Sequence, residues 1–167
     1  MPFAKLKAEL LAARDLRDAA LRNALRGNRC TLLQLSLNLP GPDKQPSGSG
    51  ALFRWAEERL RAEIPSLRKL TESCDGLGPW ALYAVQSPAN DVKHQTVLIE
   101  DSRPGGRLLD IDVYNQLGQA CERVRLGLQQ RRCLICNESA RDCIRLQSHS
   151  AAQLKATIDE LLAPYRT

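Results

Sequence analysis

Stepped at about 100° per residue, residues 4–26 bring Leu6, Leu10, Ala13, Ala20, Leu21 and Ala24 into one sector, which predicts an amphipathic helix stopped by Gly27-Asn28. The pattern then changes period. From Leu33 to Leu39 apolar and polar residues alternate strictly, so a strand with one buried face is predicted from about Thr31. Helical spacing returns in Leu52, Trp55, Ala56, Arg59 and Leu60, giving a helix over Ala51–Glu63 closed by Pro65, with Trp55 read as core. After turn signals at Asp75-Gly76 and Gly78-Pro79, Trp80–Gln86 reads as a second strand, and Ser87–Asp91 turn the chain. Residues 91–101 fit either a helix through Val92, Thr96 and Ile99, capped by Asn90 or Asp91, or a strand at Val97-Leu98-Ile99; the helix is the reading adopted. Arg107–Tyr114 is a third strand entered through Gly105-Gly106, and Asn115–Gly118 turns it toward a partner at Gln119–Val124. A capping box of Ser150 and Gln153 starts the last helix, whose Leu154, Ile158 and Leu161 face a neighbour.

This order predicts an α+β fold: a mixed sheet of about four strands, with a parallel crossover and a terminal antiparallel hairpin, and helices packed on it. A catalytic domain over residues 1–128 and a Cys/His-rich helical tail over 129–167, packed on it as one structural unit, are expected. The length of 167 residues suits a single domain with a real core.

Composition narrows the function classes. A net charge of +5, from 24 basic and 19 acidic residues, suits an anionic ligand or an acidic protein partner. Aromatic residues make up only 4%, too little for base-stacking platforms, so nucleic-acid binding is set aside. Charged residues interrupt Met1–Leu6 where a secretion signal would be apolar, and no segment has the length to cross a bilayer, so a cytoplasmic protein without a membrane partner is expected. Its six cysteines are then thiols or metal ligands rather than disulfides.

The chemistry centres on the third strand. Asp110 and Asp112 project from one face, roughly 6.5–7 Å apart along the chain, while Leu109, Ile111 and Val113 point to the other. Such a pair can hold divalent metal for phosphoryl or nucleotidyl transfer; a half-buried strand with acidic outward positions is the plainer alternative. Arg14 and Arg17 share a sector with the first helix's apolar stripe, which places them beside a charged cleft, or else snorkelling or pairing with Asp15 and Asp18. The Pro/Gly/Ser-rich stretch Pro40–Gly50 reads as a mobile flap carrying Lys44. After the basic pair Arg131-Arg132, Cys133, Cys136, Cys143 and His149 form a CxxC-x6-C-x5-H series, a four-ligand set suited to structural zinc. A metal-free thiol cluster or a redox pair would read the same way in sequence.

Taken together these motifs resemble the holo-citrate-lyase synthase family, the apo-citrate lyase phosphoribosyl-dephospho-CoA transferases. The likeness runs nearly end to end, through Leu10–Arg17, Asn38–Lys44, Glu100, Gly106–Val113 and the Cys133, Cys136, Cys143 and His149 tail. The resemblance implies a nucleotidyltransferase-type enzyme that moves the prosthetic group from 2'-(5''-triphosphoribosyl)-3'-dephospho-CoA to a serine of the citrate lyase acyl carrier (gamma) subunit, releasing pyrophosphate. It implies Mg²⁺ at Asp110 and Asp112, with Glu100 as a third catalytic carboxylate, and phosphate contacts from Arg14, Arg17, Lys44 and Arg107. Arg103 stands where the family's central turn carries a histidine, so no acid–base role is assigned there. The alternative is a non-catalytic zinc-containing module that binds an acidic protein or nucleic acid through its basic tail.

Overall fold

In the computed structural model residues 2–27 and 29–166 are described, with side chains from Lys7 onward; the side chain of Leu6 and all of Asn28, both part of the sequence reading, lie outside the described residues. The element order is α1 (Pro2–Gly27), β1 (Thr31–Leu37), α2 (Ser49–Glu63), β2 (Arg68–Asp75), β3 (Gly78–Val85), α3 (Ala89–Asp101), β4 (Leu109–Tyr114), α4 (Ala140–Leu146) and α5 (Ala151–Leu162). The four strands form one sheet in the order β2-β3-β1-β4. The α+β class and the strand number therefore agree with expectation, but every pairing is antiparallel.

That difference traces to one strand. β2 is an edge strand of mostly polar, exposed residues, so it lacks the alternation that marks a buried face. It adds a hairpin before Trp80 and so reverses the direction of β3, turning what reads as a parallel crossover into an antiparallel pair with β1. The strand expected at Gln119–Val124 is absent: Tyr114 and Ala120 make a single bridge, and a short 3-10 turn follows at Val124–Leu126. Asn115 closes this turn by accepting from the N–H groups of Leu117 and Gln119, each at 3.0 Å. Further pairing is blocked because β4's outer edge is already occupied. Lys93 Nζ donates to the Ile111 carbonyl at 2.7 Å, and the Ile111 N–H donates to Glu100 Oε1 at 3.0 Å. Side chains of α3 thus stand where a fifth strand would hydrogen-bond.

Period-two alternation gives the sheet two distinct faces. Leu33, Leu35 and Leu37 of β1 join Tyr83, Ile111 and Val113 beneath α2, α3 and α5, through residues such as Leu52, Leu60, Val92, Ile99 and Leu162. Each of these fully buried side chains contributes about 1.5–3 kcal/mol relative to exposure. On the opposite face Leu32, Trp80, Leu82 and Ala84 are covered by α1 through Leu21, with Ala20, Ala24 and Leu25 at its margin. Gln34 and Ser36 lie on that face too, opposite Asp112 and Asp110 respectively. Side chains of α1 stand off from this polar strip, and the cavity described next lies between them.

Helix over strand is confirmed for residues 91–101, although Pro88 occupies the N-cap without a side-chain cap. The predicted capping box of Ser150 and Gln153 is present at α5. Trp55 is half-buried rather than core, 6.3 Å from the Tyr165 ring centroid. No helix among the described residues is long and apolar enough to cross a membrane.

Candidate active site

A cavity of about 340 Å³ lies between α1 and the polar strip of the sheet, lined by Arg14, Arg17, Gln34, Ser36, Asn38, Lys44, Asp110 and Tyr114 among others. Four residues singled out from sequence, Arg14, Arg17, Lys44 and Asp110, come together here although they span nearly a hundred positions. Asp112 follows on the same face of β4, half-buried. Burial pushes its carboxyl up, and the neighbouring Asp110 adds to this, so that it titrates at about 6 despite the opposing pull of Lys93 and Arg131.

The basic residues of the cavity divide into two kinds. Arg17 is a structural tie. Its Nε and Nη2 grip both oxygens of Asp75 at 2.8 and 2.7 Å, Nη2 also donates to the Gly78 carbonyl at 3.0 Å, and the guanidinium sits 5.5 Å from the Trp80 ring centroid. With these donors engaged, Arg17 joins α1 to the β2–β3 hairpin and forms wall rather than a free phosphate clamp. Arg14, one turn earlier, is exposed and has no carboxylate partner among the described residues. Lys44 donates to the Leu39 carbonyl at 2.6 Å, and partial burial followed by the nearby Arg14 charge holds its ammonium below the ordinary range. Lys44 and Arg14 thus stand close enough to repel each other, which favours an anion bound beside them.

The loop that carries Lys44 is packed on the hairpin. Gly78 has φ of +96°, and a Cβ there would meet the Lys44 carbonyl oxygen at 2.6 Å, so only glycine permits this approach. At its far end the loop meets the C-terminus, where Arg166 Nε donates to the Ser47 carbonyl at 3.1 Å.

Glu100 and Arg107 lie outside this cavity. Glu100 is 1% exposed, and its oxygens receive Arg123, the Ile111 N–H at 3.0 Å and Arg131 at 2.7 Å. It is a buried anchor for α3, β4 and the tail, not a carboxylate left over for a metal. Arg107 donates to the carbonyls of Cys133 and Leu134 and so holds the cysteine knuckle. The turn over Pro104–Leu108 is a 3-10 helix, which delays the acidic strand to Leu109.

Arg131 is the residue the sequence reading passed over. It reaches Asp110 Oδ1 at 3.1 Å while holding Glu100 at 2.7 Å and the Leu109 carbonyl at 2.8 Å. The Arg131-Arg132 pair was visible as a basic step before the cysteines, but nothing in its spacing showed that it folds back onto β4. Gln34 and Ser36 were legible as the polar positions of the first alternating strand.

The tail's four candidate ligands converge. The sulfurs of Cys133, Cys136 and Cys143 and a ring nitrogen of His149 lie within 4.8 Å of one another, with Cys136 Sγ 3.5 Å from Cys143 Sγ and 3.3 Å from His149 Nε2. Tetrahedral zinc–thiolate bonds of about 2.3 Å place sulfurs roughly 3.8 Å apart, so the cluster has room for one ion. Burial raises the Cys133 thiol, but the N–H groups of Cys136 and Ile135 and the neighbouring thiols outweigh it and bring it down to about 7. This group could bind a metal. The other cysteines, Cys30, Cys74 and Cys121, are free and lie outside it.

Unneutralised cations facing a carboxylate strand across a small cavity fit the class of enzymes that handle polyphosphate esters. Comparison with known proteins is more specific: residues 6–165 match the model of the apo-citrate lyase phosphoribosyl-dephospho-CoA transferase family. Curated transferases of that name from Citrobacter koseri, Shigella boydii and Escherichia coli O157:H7 are each 32% identical over 158 residues, covering 92% of this chain and 86% of theirs. The chain belongs to this family and is a transferase. No finding favours a non-catalytic zinc module.

Proposed function

We propose that the protein transfers the phosphoribosyl-dephospho-CoA group from its triphosphoribosyl donor to a serine of the apo citrate lyase acyl carrier subunit, in the cytoplasm. The serine oxygen attacks the phosphorus nearest the ribose, the bond to the next phosphate breaks, pyrophosphate leaves, and the serine proton passes to solvent. The observation that carries this reading is the meeting of Arg14, Lys44 and Asp110 around one cavity. Arg14 and Lys44 bind the triphosphate oxygens, and Arg17 holds α1 at the distance that lets them do so. Asp110 and Asp112 are the proposed ligands for Mg²⁺. The donor set fits: two carboxylates face Gln34 and Ser36 across the strand pair, all oxygen-bearing groups suited to a hard cation, and the burial that lifts Asp112, with Asp110 beside it adding to the effect, favours positive charge at this position. When bound, such an ion supplies charge neutralisation for the polyphosphate. Arg131, which reaches Asp110 Oδ1 at 3.1 Å, orients that carboxylate.

Zinc is the proposed occupant of the tail cluster, because three thiolates and an imidazole form a closed tetrahedral set with no position left for substrate. Its role is then to fix the tail, and through Arg107 and Arg131 the start of β4. Incubation with apo carrier, donor and Mg²⁺ tests the reading: the carrier should gain the mass of the prosthetic group with release of pyrophosphate, and absence of both would refute it.

A further inference from the structure

A second cavity, of about 1180 Å³, opens between the tail and the body of the protein, and the phosphoryl chemistry leaves it without a role. It lies just above the usual range of small-molecule sites, roughly 300–1,000 Å³. Its lining carries five arginines against two carboxylates. Arg123 is paired with Glu100 and Asp101, Arg131 with Glu100 and Asp110, and backbone carbonyls occupy Arg107. Arg103 and Arg132 remain, both exposed and neither held by a carboxylate among the described residues. Arg103 lies over Trp55, 4.3 Å from the ring centroid, which fixes its guanidinium without reducing its charge. The tail supplies an apolar wall opposite, from Leu134, Ile144 and Leu154, and Ile144 is 76% exposed.

A ligand matching both walls is long, carries anionic groups at one stretch and is apolar along another. The two cavities are also continuous in their lining. Asn38 borders both, and Arg131, in the wall of the larger, contacts Asp110 in the wall of the smaller. We propose that the larger cavity binds the dephospho-CoA portion of the donor, its pyrophosphate at Arg103 and Arg132 and its pantetheine chain along Leu134, Ile144 and Leu154. The triphosphate end then passes Asn38 into the smaller cavity. This assignment rests on the donor named above. A concave cleft of this size suits a small molecule better than the surface of an acidic protein, which would need a face of larger extent.

Dephospho-CoA, which lacks the triphosphoribosyl group, is the probe. Calorimetric titration of the metal-replete protein should show binding, weakened roughly tenfold or more by Arg103→Ala and by Arg132→Ala, and unchanged by Arg14→Ala. Inorganic triphosphate should show the reverse dependence. In turnover, Arg132→Ala should raise KM for the donor more than it lowers kcat and leave KM for the apo carrier alone. No binding of dephospho-CoA by the parent protein, or binding indifferent to both substitutions, would overturn the assignment. So would a raised KM for the carrier with donor KM unchanged, which would make the cavity a carrier dock. Failure of the parent protein to modify the carrier at all would instead refute the activity itself.

Discussion

Replacing Asp112 with asparagine should make the protein more stable and less active at once. The carboxyl is lifted from the ordinary 3.8 to about 6, first by burial and then by Asp110. Below about pH 4 the group is protonated folded and unfolded alike and contributes no penalty. Between about 4 and 6 the folded chain retains a proton that the unfolded chain releases, so stability falls as pH rises, and above 6 the whole penalty is present. At ~1.4 kcal/mol for each tenfold change in proton affinity, that penalty is at most roughly 3 kcal/mol. The attraction to Lys93 and Arg131 is already contained in that shift; the cost of burying the asparagine amide offsets part of the gain, which leaves about 1–2 kcal/mol. For a chain of this length the melting temperature at pH 8 should rise by roughly 2–8 °C in magnesium-free buffer, with little change near pH 4. Transfer to the carrier should fall by ~10²–10³ or more. Thermal melts at the two pH values, alongside the mass assay, make the check. A variant that melts lower by the same amount at both pH values and still turns over within a few-fold of the parent would refute both the unrelieved-charge account and the site.

The two kinds of arginine should separate experimentally. Arg14→Ala and Lys44→Ala should each weaken donor binding by about 1.5–3 kcal/mol in calorimetry while melting like the parent. Arg17→Ala should do the opposite first, losing about 3 kcal/mol of stability because it strands Asp75 in a site only 12% exposed; donor affinity lost with stability intact would contradict the tie. Elemental analysis should find about one zinc per chain, lost in Cys136→Ser and kept in Cys121→Ser, and a metal-free protein purified without chelator would sink the zinc proposal. Arg131→Ala should lower kcat with donor KM little changed, since it acts on Asp110; a pure KM effect would place it on the substrate instead.

How much of this was legible follows from periodicity. Leu33 to Leu39 declared a two-faced strand, and Asp110 and Asp112 declared which side of β4 carries charge, because a period of two survives folding unchanged. The sector shared by Arg14, Arg17 and the stripe of α1 left open a charged cleft or a snorkelling or paired side chain, and both residues line the cavity. Their different fates depended on Asp75, which sits in a strand whose exposed, polar residues give no pattern at all. The same concealed strand inverted β3 and made the sheet antiparallel. The family resemblance implied a catalytic carboxylate at Glu100 and a phosphate contact at Arg107; only the long-range fold shows them turned to Arg123, Arg131 and the cysteine knuckle. The cysteine series, by contrast, carries its geometry in its spacing.

The seal along the outer edge of β4 has a bearing on solubility. Lys93 and Glu100 satisfy Ile111 from α3, and Arg131 covers the Leu109 carbonyl from the tail. An open strand edge is a template onto which another chain can add, and here part of the cover is delivered by a segment whose place is set by the cysteine cluster. Loss of the tail's anchorage would bare the Leu109 carbonyl at the rim of an apolar, alternating strand. Self-association should then begin at β4 while the remaining core is still folded, so that chelated or oxidised protein comes out of solution well below its melting temperature, and an Arg131→Ala protein does so with its cysteines untouched.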